Sequence, residues 1–90
     1  MTFGFRAKGR VQGVGYRAFV IRQARARNIV GWVRNEADGS VAGQASGDAS
    51  DLALFRSLLC KGPAWAFVES LDWEPLNEGE SLPTSFEIRS

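Results

Sequence analysis

Gly13 and Gly15 stand two residues apart, and Arg17 follows them directly, in the run Gly9-Arg10-Val11-Gln12-Gly13-Val14-Gly15-Tyr16-Arg17. The run joins an alternating, strand-like segment to a helical one. Glycine adopts positive φ at little cost, so such a loop can turn successive backbone N–H groups toward one oxyanion, and the following helix adds its positive end. A guanidinium in the first helical turn is misplaced by a few tenths to about 1 kcal/mol unless an anion sits between it and the helix end. The chemistry on offer is capture of a small anion, a phosphate or similar group, by main chain and arginine.

The residue types present narrow what could follow capture. The chain has no histidine and a single cysteine, so no Ser-His or Cys-His pair exists. Cys60 lies in the apolar helical stretch Leu58-Leu59-Cys60 and is expected in the core. No cluster of carboxylates has metal-ligand spacing, so no metal and no cofactor are expected. The triphosphate-loop pattern G-x-x-x-x-G-K-[ST] is absent, and Gly13 to Ala18 fits the dinucleotide pattern only loosely, because the next strand leads into a hairpin at Arg34-Asn35. Hydrolysing an ordinary phosphate ester expels an alkoxide, which usually demands a general acid or a metal. An acyl phosphate instead expels a carboxylate whose conjugate acid has a pKa of roughly 4. For that substrate, positioning and electrostatic stabilisation of a loose transition state suffice.

These groups must be positioned by one small domain spanning residues 1–90, since 90 residues with 44% hydrophobic content can bury a modest core. No apolar run approaches the roughly 20 residues needed to cross a bilayer, and no signal peptide is evident, so a cytoplasmic location is expected. A lone cysteine agrees with a reducing compartment. Charge is divided along the chain: every residue of charge through Arg34 is basic, and all ten carboxylates lie at Glu36 or beyond. The basic half would attract anions to the glycine loop, although Arg22, Arg25 and Arg27 read as the wet face of a helix.

Alternation of Phe3, Phe5 and Ala7 with Arg6 and Lys8 predicts a first strand running to about Val11. Tyr16 to Arg27 has helical spacing and ends at Asn28, a plausible left-handed terminator. Ile29–Arg34 and Val41–Ser46 read as a hairpin about the turn Asp38-Gly39. A second helix, capped by Asp48 or Ser50, carries Leu52, Phe55 and Leu59 on one face and stops at Gly62-Pro63. An extended segment from Phe67 to Glu74 breaks alternation near Ser70, which predicts a bulge; a polar loop spans Pro75 to Pro83, and Phe86 and Ile88 mark a last strand. The order is the α+β, ferredoxin-like split βαβ layout: βαββαβ with a short extra C-terminal strand, an antiparallel sheet and two helices on one face.

The glycine run, together with Gly31-Trp32-Val33-Arg34-Asn35 and Asp38-Gly39-Ser40-Val41, closely resembles the acylphosphatase family across nearly the whole chain. The resemblance implies metal-independent hydrolysis of the carboxyl-phosphate bond. It implies that Arg17 and Asn35 are catalytic. The backbone N–H groups of Gln12, Gly13, Val14, Gly15, Tyr16 and Arg17 would hold the phosphoryl oxygens, and the Asn35 carboxamide would position the attacking water. The expected partners are a small-molecule acyl phosphate and inorganic phosphate as product and inhibitor; a monomer is expected, with no membrane or nucleic-acid partner. Tyr16 stands where phenylalanine is frequent and would bring a hydroxyl near the pocket, and Glu36 beside Asn35 would place a carboxylate where it could repel phosphate or restrain the loop. Trp32, Trp65 and Trp73 are expected as core or sheet-covering residues. The alternative is a non-catalytic anion- or nucleic-acid-binding module of the same fold; the strand Ser40 to Ser46 lacks the aromatics that base stacking requires. A domain of a larger carbamoyl-phosphate-using protein is a third reading, against which the initial methionine and the end soon after the last strand favour a free-standing protein.

Overall fold

The computed structural model describes residues 1–77 and 82–90. The chain forms β1 (Thr2–Arg10), α1 (Tyr16–Arg25), β2 (Val30–Asn35), β3 (Val41–Ser46), α2 (Ala49–Lys61), β4 (Phe67–Pro75) and β5 (Phe86–Ile88). The sheet has the order β4-β1-β3-β2-β5. Its β1·β3, β1·β4 and β2·β3 pairs are antiparallel, as expected. The fifth strand departs from that expectation and pairs parallel with β2, matching Gly31 to Phe86 and Val33 to Ile88. The reason is directional: β4 runs antiparallel to β1 and therefore to β2, and the connection after it reverses once more before β5. Part of the expected 75–83 loop, residues 78–81, lies outside the described residues.

Both helices cover one face of the sheet, where Phe5, Ala7, Val33, Val41, Ala45 and Phe86 meet Phe19, Val20, Leu52, Phe55 and Leu59. The rings carry much of this core: Phe5 and Phe86 each meet Phe55 near edge-on, at centroid separations of 6.2 and 6.0 Å, geometries that favour aromatic pairs. Gly43 lies under the Phe5 ring, and a Cβ there would stand 2.5 Å from Phe5 Cζ and 2.3 Å from the Trp32 carbonyl oxygen. At this position a side chain is excluded by close approach.

Local signals mostly end elements where the sequence places them. Asn28 takes φ 55° and closes α1, while Gly62 takes φ 70° after α2 and donates its N–H to the Leu58 carbonyl. Asp48 is the residue before α2 but makes no side-chain cap bond. The predicted bulge is present: Lys8 faces Ser70 and Gly9 faces Val68, leaving Glu69 as the extra residue. Of the arginines read as the wet face of this helix, Arg25 donates to the Phe86 carbonyl at 2.9 Å and Arg27, just beyond α1, to the Gln23 carbonyl and side chain, both at 2.9 Å, so these two brace the helix end.

Two residues expected inside are outside. Cys60 is exposed because α2 buries the face of Leu52, Phe55 and Leu59, and one further residue rotates the side chain about 100° away from it. Trp65 is 82% exposed, since it sits in a turn closed by the Ala66 N–H to Pro63 carbonyl bond, outside any element with a buried face. Trp73 does cover the sheet, stacked on Phe3 at 4.9 Å, and Trp32 lies on the open face between the guanidinium groups of Arg34 and Arg89, at 5.0 and 5.3 Å.

The Tyr16 hydroxyl is also elsewhere than expected. It is buried and donates to the Leu59 carbonyl at 2.8 Å, satisfying one of the carbonyls that the last turn of α2 leaves without an intrahelical donor. Burial pushes the phenol well above its ordinary range. A folded-state pKa raised above the unfolded value contributes stability that is complete below the unfolded value and is lost as pH rises beyond it. Tyr16→Phe should therefore cost about 1 kcal/mol at pH 7 and blunt the alkaline loss of stability that sets in above roughly pH 10. Urea unfolding midpoints at the two pH values check both effects.

Candidate active site

The loop between β1 and α1 has the backbone of an anion cradle. Gly13 and Gly15 take φ 74° and 80°, while Val14 between them keeps negative φ, and this alternation turns consecutive N–H groups to one side. A Cβ on either glycine would meet nothing within 4 Å; positive φ demands glycine here, and the space above remains open. Gly15 is the N-cap of α1, no side chain caps that end, and its first turn holds no acidic residue. The first backbone donor of the helix to find an acceptor is Phe19, whose N–H reaches the Gly15 carbonyl at 3.1 Å. Among the described residues, no backbone or side-chain acceptor receives the N–H groups of Gln12 through Arg17.

Arg17 is partly buried in the first turn of α1, beside those donors. No carboxylate among the described residues pairs with it. The contrast with Arg6, Arg34 and Arg89 is sharp, because each of those holds an acidic partner.

Asn35 ends β2. Its Oδ1 is buried and accepts no hydrogen bond from another protein group, whereas most buried carbonyl oxygens do. Strand alternation puts Asn35 on the same side as buried Val33. Glu36, one residue on, goes to the opposite, open face, where Arg34 Nε donates to its carboxylate at 3.1 Å and the Arg6 guanidinium stands 3.9 Å away. There it lines a groove of about 680 Å³ with Gly4, Arg6, Trp32, Arg34 and Gln44. The carboxylate expected to confront phosphate is thus neutralised by two arginines on the other side of the sheet.

The hairpin turn that carries Asn35 is tightly tied. Arg6 Nη1 donates to Ser40 Oγ at 2.7 Å, and Ser40 donates both its hydroxyl, at 2.6 Å, and its N–H, at 2.9 Å, to Asp38 Oδ1. The Ser40 hydroxyl, with the Ser40 amide and nearby cations in support, holds the Asp38 carboxyl below its usual range. From the other side, Gln12 Nε2 donates to the Glu36 and Ser40 carbonyls at 2.7 and 2.9 Å. The glycine loop and the end of β2 are therefore neighbours, although separated by about twenty residues of sequence. The sequence offers Gln12 as one more backbone donor; its side chain's part in joining the two segments carries no local signal, because both acceptors are main-chain carbonyls far along the chain.

The glycine loop, with unpaired Arg17 and a run of unsatisfied N–H groups at a helix N-terminus, is tied through Gln12 to the turn that follows Asn35, whose Oδ1 makes no hydrogen bond within the protein. No group of three or more potential metal ligands occurs among the described residues. The acylphosphatase family model matches residues 3–88. The chain belongs to the acylphosphatase family. It is similar to the acylphosphatase of Moorella thermoacetica, with 45% identity over 89 residues that cover 96% of this chain and 90% of that one. Among solved structures, it resembles the acylphosphatase from Bacillus subtilis at a TM-score of 0.84 and 33% identity, covering 99% of this chain and 98% of that one. An acylphosphatase from Coxiella burnetii superposes at a TM-score of 0.86 and 30% identity, covering 98% and 90%. The ferredoxin-like α+β fold read from the sequence is the fold of these acylphosphatases.

Proposed function

We propose that this acylphosphatase binds the phosphoryl group of its substrate in the 12–17 loop, with Arg17 and Asn35 performing the reaction. The observation that carries the reading is the set of unsatisfied N–H groups from Gln12 to Arg17 beside an unpaired guanidinium. An acyl phosphate seated there places its non-bridging oxygens against the N–H groups and the planar fork of Arg17. Asn35 Oδ1, able to accept a hydrogen bond without adding charge, holds the attacking water in line. The water oxygen attacks phosphorus, the bond to the carboxyl oxygen breaks with its electron pair, and carboxylate leaves unprotonated. Both protons of the water end on the phosphate, one by transfer to a phosphoryl oxygen, so no protein base is required. Arg17 and the N–H groups counter the charge on the equatorial oxygens throughout. The protein acts in this way as a cytoplasmic monomer, with inorganic phosphate as product and competitive inhibitor.

The test is hydrolysis of benzoyl phosphate beside an aryl phosphate monoester at neutral pH with a chelator present. Metal-independent cleavage of benzoyl phosphate alone is expected. Equal cleavage of both, or cleavage that chelator abolishes, would overturn the mechanism, and cleavage of neither would leave an anion-binding module.

A further inference from the structure

We infer that Gln12 is a positioning residue for hydrolysis, acting through its side chain on Asn35; the inference rests on the role proposed for Asn35. Its Nε2 is shared between the carbonyls of Glu36, at 2.7 Å, and Ser40, at 2.9 Å. Among the described residues, no other hydrogen bond joins residues 11–15 to residues 35–40. Pairing between β1 and β3 stops at Ala7 and Val41, and pairing between β2 and β3 at Asn35 and Val41. Beyond those residues, the loop that would hold phosphate and the turn that follows Asn35 are separate excursions of the chain. Arg6 reaches the turn only from the open face, through Ser40, Asp38 and Glu36.

The two segments supply different halves of the reaction: phosphorus is fixed by the loop and the water by Asn35. Their relative position is the in-line geometry itself, and a misplacement of about 1 Å in such geometry costs on the order of 10²-fold in rate. Gln12 fixes that position because one amide donor engages the carbonyls on both sides of the turn. The same carbonyls also accept backbone bonds, Glu36 from the Gly39 N–H at 3.1 Å and Ser40 from the Glu36 N–H at 2.8 Å. Removing the Gln12 donor therefore leaves the hairpin folded and neither carbonyl orphaned. What is lost is the tie between the segments.

Gln12→Met keeps the length of the side chain and removes the donor without adding charge; Gln12→Ala does so without the bulk of methionine, should the first variant fail to fold. With benzoyl phosphate, either variant should lose kcat by roughly 10- to 100-fold. The inhibition constant of inorganic phosphate should change by less than about threefold, because the N–H groups and Arg17 remain. In an Asn35→Ala background the same Gln12 change should lower kcat by no more than about twofold, as residues acting as a unit are non-additive. An unchanged kcat in Gln12→Met, a loss matched by an equal weakening of phosphate inhibition, or a loss that multiplies with that of Asn35→Ala would each overturn the inference. Full activity in Asn35→Ala alone would instead remove the Asn35 role on which it stands.

Discussion

Arg17→Ala should abolish measurable turnover of benzoyl phosphate, with a fall of at least about 10³-fold in kcat/KM, and should lose inhibition by inorganic phosphate as well. Arginines that stabilise a transferring phosphoryl group contribute about 10³- to 10⁵-fold, and single oxyanion donors about 10²- to 10³-fold. Arg17 should sit in the upper part of that span, because it brings a full charge and two parallel donors to a site whose other donors are neutral N–H groups. Charge alone would be restored by Arg17→Lys, but an ammonium is a point charge without the fork. That variant should recover phosphate inhibition more fully than turnover. The folded state should tolerate both changes, since no ion pair or hydrogen bond among the described residues engages Arg17. Steady-state kinetics, phosphate inhibition and thermal unfolding measured together test the assignment. An Arg17→Ala variant that keeps phosphate inhibition while losing turnover would move Arg17 out of the binding role.

Asn35→Ala should give the complementary result, a loss of roughly 10²- to 10³-fold in kcat with phosphate inhibition preserved. Its Oδ1 is buried and makes no hydrogen bond within the protein. Replacement by alanine therefore breaks no hydrogen bond of the fold through that atom, and the variant should be about as stable as the parent in urea. Unchanged stability together with lower activity separates this site from a structural asparagine, whose loss would lower stability. Asn35→Asp should be nearly inactive: the geometry is kept, but a carboxylate is placed beside the phosphoryl oxygens.

The comparison between sequence and structure is sharpest at residues close to one another. The positive φ of the two glycines and the place of Arg17 in the first turn of a helix were legible because short-range rules govern them, whereas Asn35 stood out only through the family resemblance. Alternation likewise placed β1, the turn signal at Asp38-Gly39 placed β3, helical spacing gave the buried face of α2, and the broken alternation near Ser70 located the bulge. Residues whose environment depends on the third dimension were not legible. Tyr16 follows the loop in sequence, yet its hydroxyl belongs to the last turn of α2. Glu36 adjoins Asn35 along the chain and faces the other way, because a strand sends successive side chains to opposite sides. Cys60 sits among leucines but one residue off their face, and Gln12 reveals its partners only once the hairpin has folded beside it.

The strand order has a kinetic consequence. β1 lies between β3 and β4, so Thr2 must find Ser46 and Phe3 must find Pro75. Among the described residues, the only paired strands contiguous in sequence are those of the β2–β3 hairpin, and it cannot bury its apolar face alone. Large loops must close before most pairings reward the chain, which slows the search for the native state. During synthesis β1 has both of its neighbours only after β4 has emerged, so the strand that leads into the phosphate loop is encoded first and completed late.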